Sequence, residues 1–231
     1  MTTARPARRD RRATARPARA LPPADQAGRE RILAAAIRSF SEVGYEGTTT
    51  AGVARAAGVT QPLVHHHFGS KEGLWRAAMD VLFSDVRRVV VAAADAAPPD
   101  RVLAAAEAFV RFVAAHPEVT RVIAREGAAP SPRLTYLVDH YLGAPFRGFV
   151  QGVRDGQRAS FVDPDLRPDL LLFFILGAGS HLFDVTAFAR ASLGIDATAP
   201  RTRDQFVALV RAVLQHGTLR KTRRTTQEKD A

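Results

Sequence analysis

The segment from residue 48 to residue 74, TTTAGVARAAGVTQPLVHHHFGSKEGL, most narrowly limits the folds that this chain can adopt. A short amphipathic run ends at Ala57, and Gly58 follows where a tight turn needs a residue that tolerates a positive φ. Thr60 then stands where a hydroxyl can cap a second short helix, in which Pro62 fits because first-turn amides lack internal partners. The segment therefore predicts two short helices joined by a glycine turn.

Further helices are predicted on both sides of this pair. Residues 26–43 repeat apolar side chains at helical spacing, with Asp25 as the predicted N-cap and Gly44 at the stop. Ser70 is predicted to cap a fourth helix that extends towards Pro98. A helix pair of this size, with glycine in its turn, is an arrangement that lays a second helix in the major groove of DNA, although many helical hairpins share the spacing.

The rest of the chain predicts helices and no sheet. Proline or glycine punctuates predicted helical segments at about 100–115, 118–127, 131–157, 166–190 and 203–217. No segment alternates apolar and polar residues with the two-residue period of a strand. The predicted fold is therefore all-α, with a three-helix head, a larger helical body and about nine helices in total.

The composition of the chain excludes cysteine-dependent sites, and its apolar runs do not predict a membrane span or a signal peptide. The chain has no cysteine, which excludes disulfides, thiolate metal sites and cysteine catalysis. Its longest apolar run, LLLFFILGA at 170–178, is too short to span a bilayer, and its arginine-rich start does not resemble a signal peptide. These features predict a soluble, cytoplasmic protein with no membrane partner, and no pattern in the chain predicts a cofactor.

The formal net charge of +10 is concentrated at the two ends of the chain. Residues 1–24 carry seven arginines and one aspartate, residues 218–231 carry five basic and two acidic groups, and the middle keeps about +1. We predict both ends to be disordered tails in the free protein. They are either simply solvated or add attraction to DNA phosphates, and the two possibilities are compatible.

A longer pattern runs through the head. It consists of Phe40, Gly44, Tyr45, Thr48, Thr49, Val53, Ala54, Ala57, Gly58, Val59, Thr60, Phe68, Ser70, Lys71, Glu72 and Leu74. With these residues, the stretch from 26 to about 78 resembles the N-terminal domain of the TetR family of bacterial transcription regulators. The segment QPLVHHHFGSKEGL is especially similar to that family's recognition helix and its exit.

The resemblance implies a regulator, a repressor in our reading, that binds double-stranded operator DNA as a homodimer and releases it when a small-molecule effector binds. It places a helix-turn-helix DNA-binding domain at 25–72 and an effector-binding and dimerisation domain at 73–217. Helix 4 would carry the effect of the ligand to the separation of the two heads.

The resemblance also assigns DNA-binding positions: Thr49, Thr60, Gln61, Pro62, Leu63, His65, His66, His67 and Lys71. Gln61 is the best candidate for reading a base edge, because an amide can pair bidentately with adenine. Pro62 and Leu63 would contact a thymine methyl group, and Thr49 and Lys71 would contact phosphates. Ala51 and Gly52 stand where many relatives carry larger polar groups, so little base reading is expected from the preceding helix.

The three consecutive histidines, His65, His66 and His67, suggest a metal site at first sight. Successive side chains on a helix point about 100° apart, whereas helical ligand pairs need a spacing of three or four. We therefore predict no metal site. Contact with phosphates or bases is favoured, since His65 and His67 occupy positions where the family commonly has tyrosine, and simple solvation is the alternative.

The body offers polar groups among apolar helices, as a ligand pocket does. The candidate pocket residues are Phe109, Phe112, His116, Arg125, Tyr136, His140, Phe149, Phe174 and His181. They are alternatively ordinary core and satisfied polar groups. An enzyme is a further alternative, because His181 and Asp184 stand three apart on a predicted helix, but no nucleophile elbow, phosphate loop or metal-ligand pair accompanies them.

The resemblance implies that the last two long helices form a four-helix dimer interface. Their apolar residues are Leu170, Leu171, Phe174, Ile175, Phe206, Leu209, Val210, Val213 and Leu214. Gly177 and Gly179 would allow close approach of the helices, although all these residues could instead serve the core of one chain. The remaining alternative, an architectural protein that binds DNA without sequence preference, is weakened because the charge lies in the tails.

Overall fold

Residues 23–86 and 96–218 are described by a computed structural model, and helices make up most of these two ranges. The all-α prediction is confirmed, since no residue in them belongs to a β-strand. The head contains α1 (Pro23–Gly47), α2 (Thr50–Ala57) and α3 (Gln61–Phe68), and α4 (Lys71–Leu82) follows it. The predicted tails lie outside the described residues, apart from their innermost positions, as does the predicted extension of α4 beyond residue 86.

The body follows the predicted helical segments closely. A 3-10 turn precedes α5, and the elements run in the order Pro98–Asp100, α5 (Arg101–Ala115), α6 (Pro117–Glu126), α7 (Pro132–Leu137), a π-helical turn (Val138–Leu142), α8 (Gly143–Arg158), α9 (Pro168–Asp184), α10 (Thr186–Leu193) and α11 (Pro200–Thr218). The segment predicted as one helix at 166–190 is divided at Val185, whose φ of −115° and ψ of 38° are not helical.

Side-chain caps fix two of the first four helix starts, those of α2 and α4. The hydroxyls of Thr49 and Ser70 accept hydrogen bonds of 3.0 Å from the amides of Gly52 and Gly73, and the cap at Ser70 was predicted. Thr60 is the N-cap of α3 by position only, because its side chain makes no capping bond. The prediction for Asp25 was wrong, since α1 begins at Pro23 and Asp25 lies within its first turn.

One apolar cluster joins the head to the body. Its head members include Phe40, Val53, Val64 and Trp75, and α6 and α7 of the body contribute to the same cluster. The body contribution includes Val119, Val122 and Leu137. Because these side chains are almost completely buried, the cluster continues across the boundary predicted between residues 72 and 73.

A second cluster holds the body together around α5. Leu103, Val110 and Val113 of α5 are buried against Ile175 of α9 and Val210 of α11. No single described helix is both long and apolar enough to cross a membrane, and only α9 and α10 taken together, bent by 68°, meet those criteria of length and composition.

Candidate DNA-binding surface and ligand cavity

The second helix of the predicted pair, α3, is held against the head on one side. Val64 is 1% exposed in the apolar cluster, and Leu63 is half-buried against it. At the end of α3, the guanidinium of Arg29 lies 5.6 Å from the centre of the Phe68 ring. Together with the αL turn at Gly58 (φ 65°, ψ 39°), these contacts fix the direction of α3.

The opposite side of α3 presents polar groups to solvent. Thr60, Gln61, Pro62, His65 and His66 are all exposed. The side-chain nitrogen of Gln61 lies 3.4 Å from the Thr50 hydroxyl and 3.5 Å from Nε2 of His65, both at the outer limit of hydrogen bonding. Weak contacts of this kind leave the amide of Gln61 available to a stronger partner.

The histidine triplet is divided between the two sides of α3. The side chain of His67 is only 4% exposed, and its Nε2 lies 3.0 Å from a carboxylate oxygen of Asp25 on α1. His65 instead has Nδ1 3.2 Å from the carbonyl oxygen of Gly69. The structure therefore places His65 and His66 outside and turns His67 towards α1, away from the surface assigned to DNA. No group of three metal-ligating side chains occurs within the described ranges.

Lys71 stands at the start of α4 and points back onto the head. Its Nζ lies 3.4 Å from the carbonyl oxygen of Glu46 and 4.4 Å from the centre of the Tyr45 ring. The guanidinium of Arg133, on α7, lies 4.2 Å from the same ring. Burial, helped by the charge of Glu72, raises the pKa of Tyr45, so the ring stays neutral between the two cations.

Arg125 connects α6 to the end of α1. Its Nε donates a hydrogen bond of 3.1 Å to the carbonyl oxygen of Ser41, and a terminal nitrogen donates to the carbonyl of Glu42. These carbonyls precede Gly44, where φ of 76° and ψ of 179° break the helix. A cation on the unpaired carbonyls of a helix end is a favourable contact, so Arg125 fastens the body to the head.

A second junction joins α4 to α7 and the π-helical turn. Trp75 packs on Tyr136, whose ring stacks on His140 at 4.0 Å between centres. The hydroxyl of Tyr141 donates a hydrogen bond to Asp80, and its ring stacks on Phe83. Burial and this bond to Asp80 raise the pKa of Tyr141, which therefore remains a donor at any physiological pH.

A cavity of about 460 Å³ lies inside the body. Its wall includes three of the predicted pocket residues, Phe109, Phe112 and Phe149. Apolar side chains from α5, α6, α8 and α9 supply most of the remaining wall, and Arg101, Gln151 and Asp155 supply polar groups. A cavity of this size and character suits a small apolar molecule.

Comparison with known proteins identifies the head. A sequence model described as "Bacterial regulatory proteins, tetR family" matches residues 32–78, which include α2, α3 and most of α4. The chain is 42% identical over 81 residues to the transcriptional regulatory protein RaaS of Mycobacterium tuberculosis, covering 35% of this chain and 38% of that protein. It is 39% identical over 72 residues to the regulator BetI of Burkholderia cenocepacia, covering 29% and 37%. The head of the chain therefore matches the TetR family.

The likeness to solved structures extends over the body. The ketosteroid transcriptional regulator KstR2 of Mycobacterium tuberculosis is similar with a TM-score of 0.61 and 26% identity, over 84% of this chain and 95% of that one. The aligned sequence covers less than two-fifths of the length of RaaS and BetI. The TetR head is therefore matched by sequence and fold, and the body mainly by fold.

The other six predicted pocket residues lie outside the cavity wall. Arg125, Tyr136 and His140 belong to the head–body junctions described above, His116 is exposed beside Phe112, and Phe174 and His181 are exposed on α9. Asp184 accepts a 2.5 Å hydrogen bond from Thr120, so its carboxylate serves packing between α9 and α6. The relatives named above are transcriptional regulators, which does not favour the alternative of an enzyme.

Sequence reasoning missed the polar and glycine positions of the wall. Arg101, Gln151 and Asp155 line the cavity, and so do Gly148 and Gly152 on α8. The spacing of four between the two glycines was visible in the sequence and indicates one helix face without side chains. That signal alone does not distinguish a cavity wall from close helix packing.

The position of His67 leads to a prediction about stability. Replacing His67 by Ala should lower the free energy of unfolding by about 1–2 kcal/mol, because a buried side chain and its contact with Asp25 are lost. Replacing His65 or His66 by Ala should change it by less than about 0.5 kcal/mol, since both are exposed. Urea denaturation of the three variants measures the difference, and equal costs would contradict the inward position of His67.

Proposed function

We propose that this TetR-family protein is a transcriptional repressor that binds operator DNA through α3. The observation that carries the proposal is the exposed polar edge of a rigidly held α3, with Gln61 and His65 on it. A helix of eight residues held in this way can enter the major groove with its first turn towards the bases. Thr49, at the capped start of α2, and Lys71, at the start of α4, flank it and would bind phosphates.

Within this proposal the residues of α3 have different roles, according to their exposure and contacts. Gln61 and Pro62, which are exposed, would contact base edges, while half-buried Leu63 has less surface to offer. Thr60, His65 and His66 would contact the backbone or bases nearby. His67 is left to hold α3 on α1 through Asp25.

The DNA-binding proposal is tested by selecting duplexes from a random pool with the purified protein. The selected duplexes should share two half-sites about one helical turn apart. Gln61→Ala should relax discrimination at one base position of each half-site by about 1–3 kcal/mol. Lys71→Ala should weaken all sequences alike and reduce the slope of log affinity against log salt by about 1.

Arg111→Ala is the control for Lys71→Ala, because Arg111 is an exposed cation on α5 that pairs with Asp204 far along the chain. It should leave both affinity and salt slope unchanged. Selection without a shared site would contradict the repressor and favour a DNA-binding architectural protein. Unchanged base preferences in Gln61→Ala would refute the role of Gln61 alone.

We also propose that two copies of the chain pair through α9 and α11. The apolar residues of these helices fall into two sets, and Leu171, Ile175, Val210 and Leu214 are buried within one chain. The outward set is more than half exposed and consists of Leu170, Phe173, Phe174, Leu209 and Val213. Exposed apolar side chains of this kind favour an interaction surface, and a two-fold dimer would also set the spacing of two α3 helices on DNA.

The two glycines of α9 take different parts in this proposal. A side chain at Gly177 would meet no atom within 4 Å, so the backbone there is open to a partner helix. A side chain at Gly179 would come within 3.1 Å of Phe109 and Val110. Gly179 therefore serves close packing of α9 on α5 within one chain, and only Gly177 remains a candidate for the dimer.

The dimer is tested by sedimentation at micromolar concentration. Phe173→Glu should convert a dimer into a monomer, because the interface would have to bury an unpaired carboxylate. Phe188→Glu is the matched control, since Phe188 is similarly exposed but lies on α10. A monomeric unmodified protein, or equal effects of the two substitutions, would contradict the proposed interface.

We propose further that a small molecule in the cavity weakens DNA binding through both junctions. Val119 and Ile123 of α6 line the cavity, and Arg125 of the same helix holds the end of α1. Val86, just beyond α4, also lines it, while Phe83 and Asp80 contact Tyr141. A ligand that favours one arrangement of α6 and α4 would change the population of DNA-binding conformations.

The coupling is tested without knowing the ligand, by filling the cavity with a side chain. Gly152→Leu should change affinity for the selected duplex by about fivefold or more, whereas Ala191→Leu, at an exposed position of α10, should not. Adding Arg125→Ala or Tyr141→Phe should reduce the effect of Gly152→Leu. A full effect in both backgrounds, or no effect of Gly152→Leu, would contradict coupling through these junctions.

A further inference from the structure

The wall of the cavity restricts the kind of molecule that fits. Four phenylalanines, Phe109, Phe112, Phe146 and Phe149, face it together with branched aliphatic side chains. A volume of about 460 Å³ lies within the range of small-molecule sites, roughly 300–1,000 Å³. The interior therefore suits a small apolar group, and a polar group would lose hydration without finding partners.

Two glycines leave open space for the apolar part of a ligand. Gly148 and Gly152 lie one helical turn apart on α8, and both line the cavity. A Cβ atom added at either position would meet nothing within 4 Å. Gly156, one turn further, is different, because a Cβ there would come within 2.8 Å of Val162. Close packing explains Gly156, and open space beside Gly148 and Gly152 belongs to the cavity.

The two charged side chains of the cavity wall, Asp155 and Arg101, differ in their hydrogen-bond partners. Asp155 accepts hydrogen bonds from Gln151 at 2.8 Å and from Arg158. Within the described ranges, the hydrogen bond of Arg101 is from its Nε to the carbonyl oxygen of Ala96 at 3.2 Å. No carboxylate among the described residues pairs with its two terminal nitrogens. Arg101 is exposed and also lines the cavity, so it lies where the cavity meets the surface.

Arg101 is also the first residue of α5, a helix of fifteen residues. The carboxylate of Asp100, at the N-cap of α5, offsets the helix dipole there, so the guanidinium of Arg101 is the group that would attract an anion. A carboxylate placed there would form charge-assisted hydrogen bonds with a planar fork of donors. The positive group and the apolar interior together describe an amphipathic ligand.

We propose that the cavity binds an amphipathic carboxylate. The apolar part of this ligand lies against the phenylalanines and Gly148–Gly152, and its carboxylate pairs with Arg101. The inference deepens the proposed effector function and rests on it for its biological role. Binding itself depends only on the body of the protein, so it can be measured in the absence of DNA.

The test compares three probes with one apolar chain and different end groups: dodecanoate, dodecanol and dodecyltrimethylammonium. Each is titrated into the full-length protein below its micelle-forming concentration, with displacement of a fluorescent fatty acid as the readout. Dodecanoate should bind about tenfold or more tightly than dodecanol, because only its charged end gains hydrogen bonds to the guanidinium. The cationic probe should bind most weakly.

Two substitutions locate the binding. Arg101→Gln should weaken dodecanoate about tenfold and leave dodecanol unchanged, whereas Arg111→Gln, the control on the outer face of α5, should change neither. Gly152→Leu should weaken both probes by occupying the interior, and Ala191→Leu should weaken neither. Thermal unfolding of each variant establishes that it is folded.

Three results would overturn the inference. Equal affinity for dodecanoate and dodecanol would indicate a neutral apolar ligand, tighter binding of the cation would indicate the opposite charge preference, and indifference to Gly152→Leu would place binding elsewhere. A different result would refute the proposed effector function and leave the binding site standing. Dodecanoate binding that depends on Arg101 and Gly152, without any change in affinity for the selected duplex, would retain the site and refute its role as an effector site.

Discussion

The packing of Trp75 between head and body is the contact on which the rest of the structure depends. Its side chain is 1% exposed, with the ring of Tyr45 in the head nearly perpendicular to it at 6.4 Å and the ring of Tyr136 in the body 5.6 Å away. Truncating a buried aromatic residue of this kind costs about 3–5 kcal/mol, a large part of the stability of a domain. Because the same side chain belongs to both parts, the head cannot change its orientation without disturbing the packing of α7. A displacement of α7 would likewise disturb the packing of the head.

The sequence predicted the parts of the head that are determined locally. Gly58 adopts the αL conformation expected of it, and Thr49 and Ser70 cap their helices, because turns and caps depend on a few neighbouring residues. The inward position of His67 was not predictable in this way. It depends on Asp25, more than forty positions earlier in the chain, and on the angle at which α1 crosses α3.

The cavity was predicted less well, for a related physical reason. Sequence reasoning selects side chains that are present, and three of its candidates, Phe109, Phe112 and Phe149, line the cavity. It also chose Arg125 and Tyr136, whose polarity in an apolar helix is explained by contacts with Ser41 and with Trp75. No side chain of the described residues fills the volume beside Gly152. The helices that enclose this volume come from distant segments of the sequence, so the sequence alone does not predict it.

The same long-range contacts form a continuous path from the cavity to the surface assigned to DNA. Ile123 touches the cavity, and Arg125, two residues later, holds carbonyls at the end of α1. At its start, α1 carries Asp25 and Arg29, which contact His67 and Phe68 at the end of α3. Packed helices move as rigid bodies because their interiors compress little, so under the proposed coupling a displacement of α6 would be passed on along this path. The path runs beside α4 and does not require it, which is why the Arg125 and Tyr141 junctions can be separated by substitution.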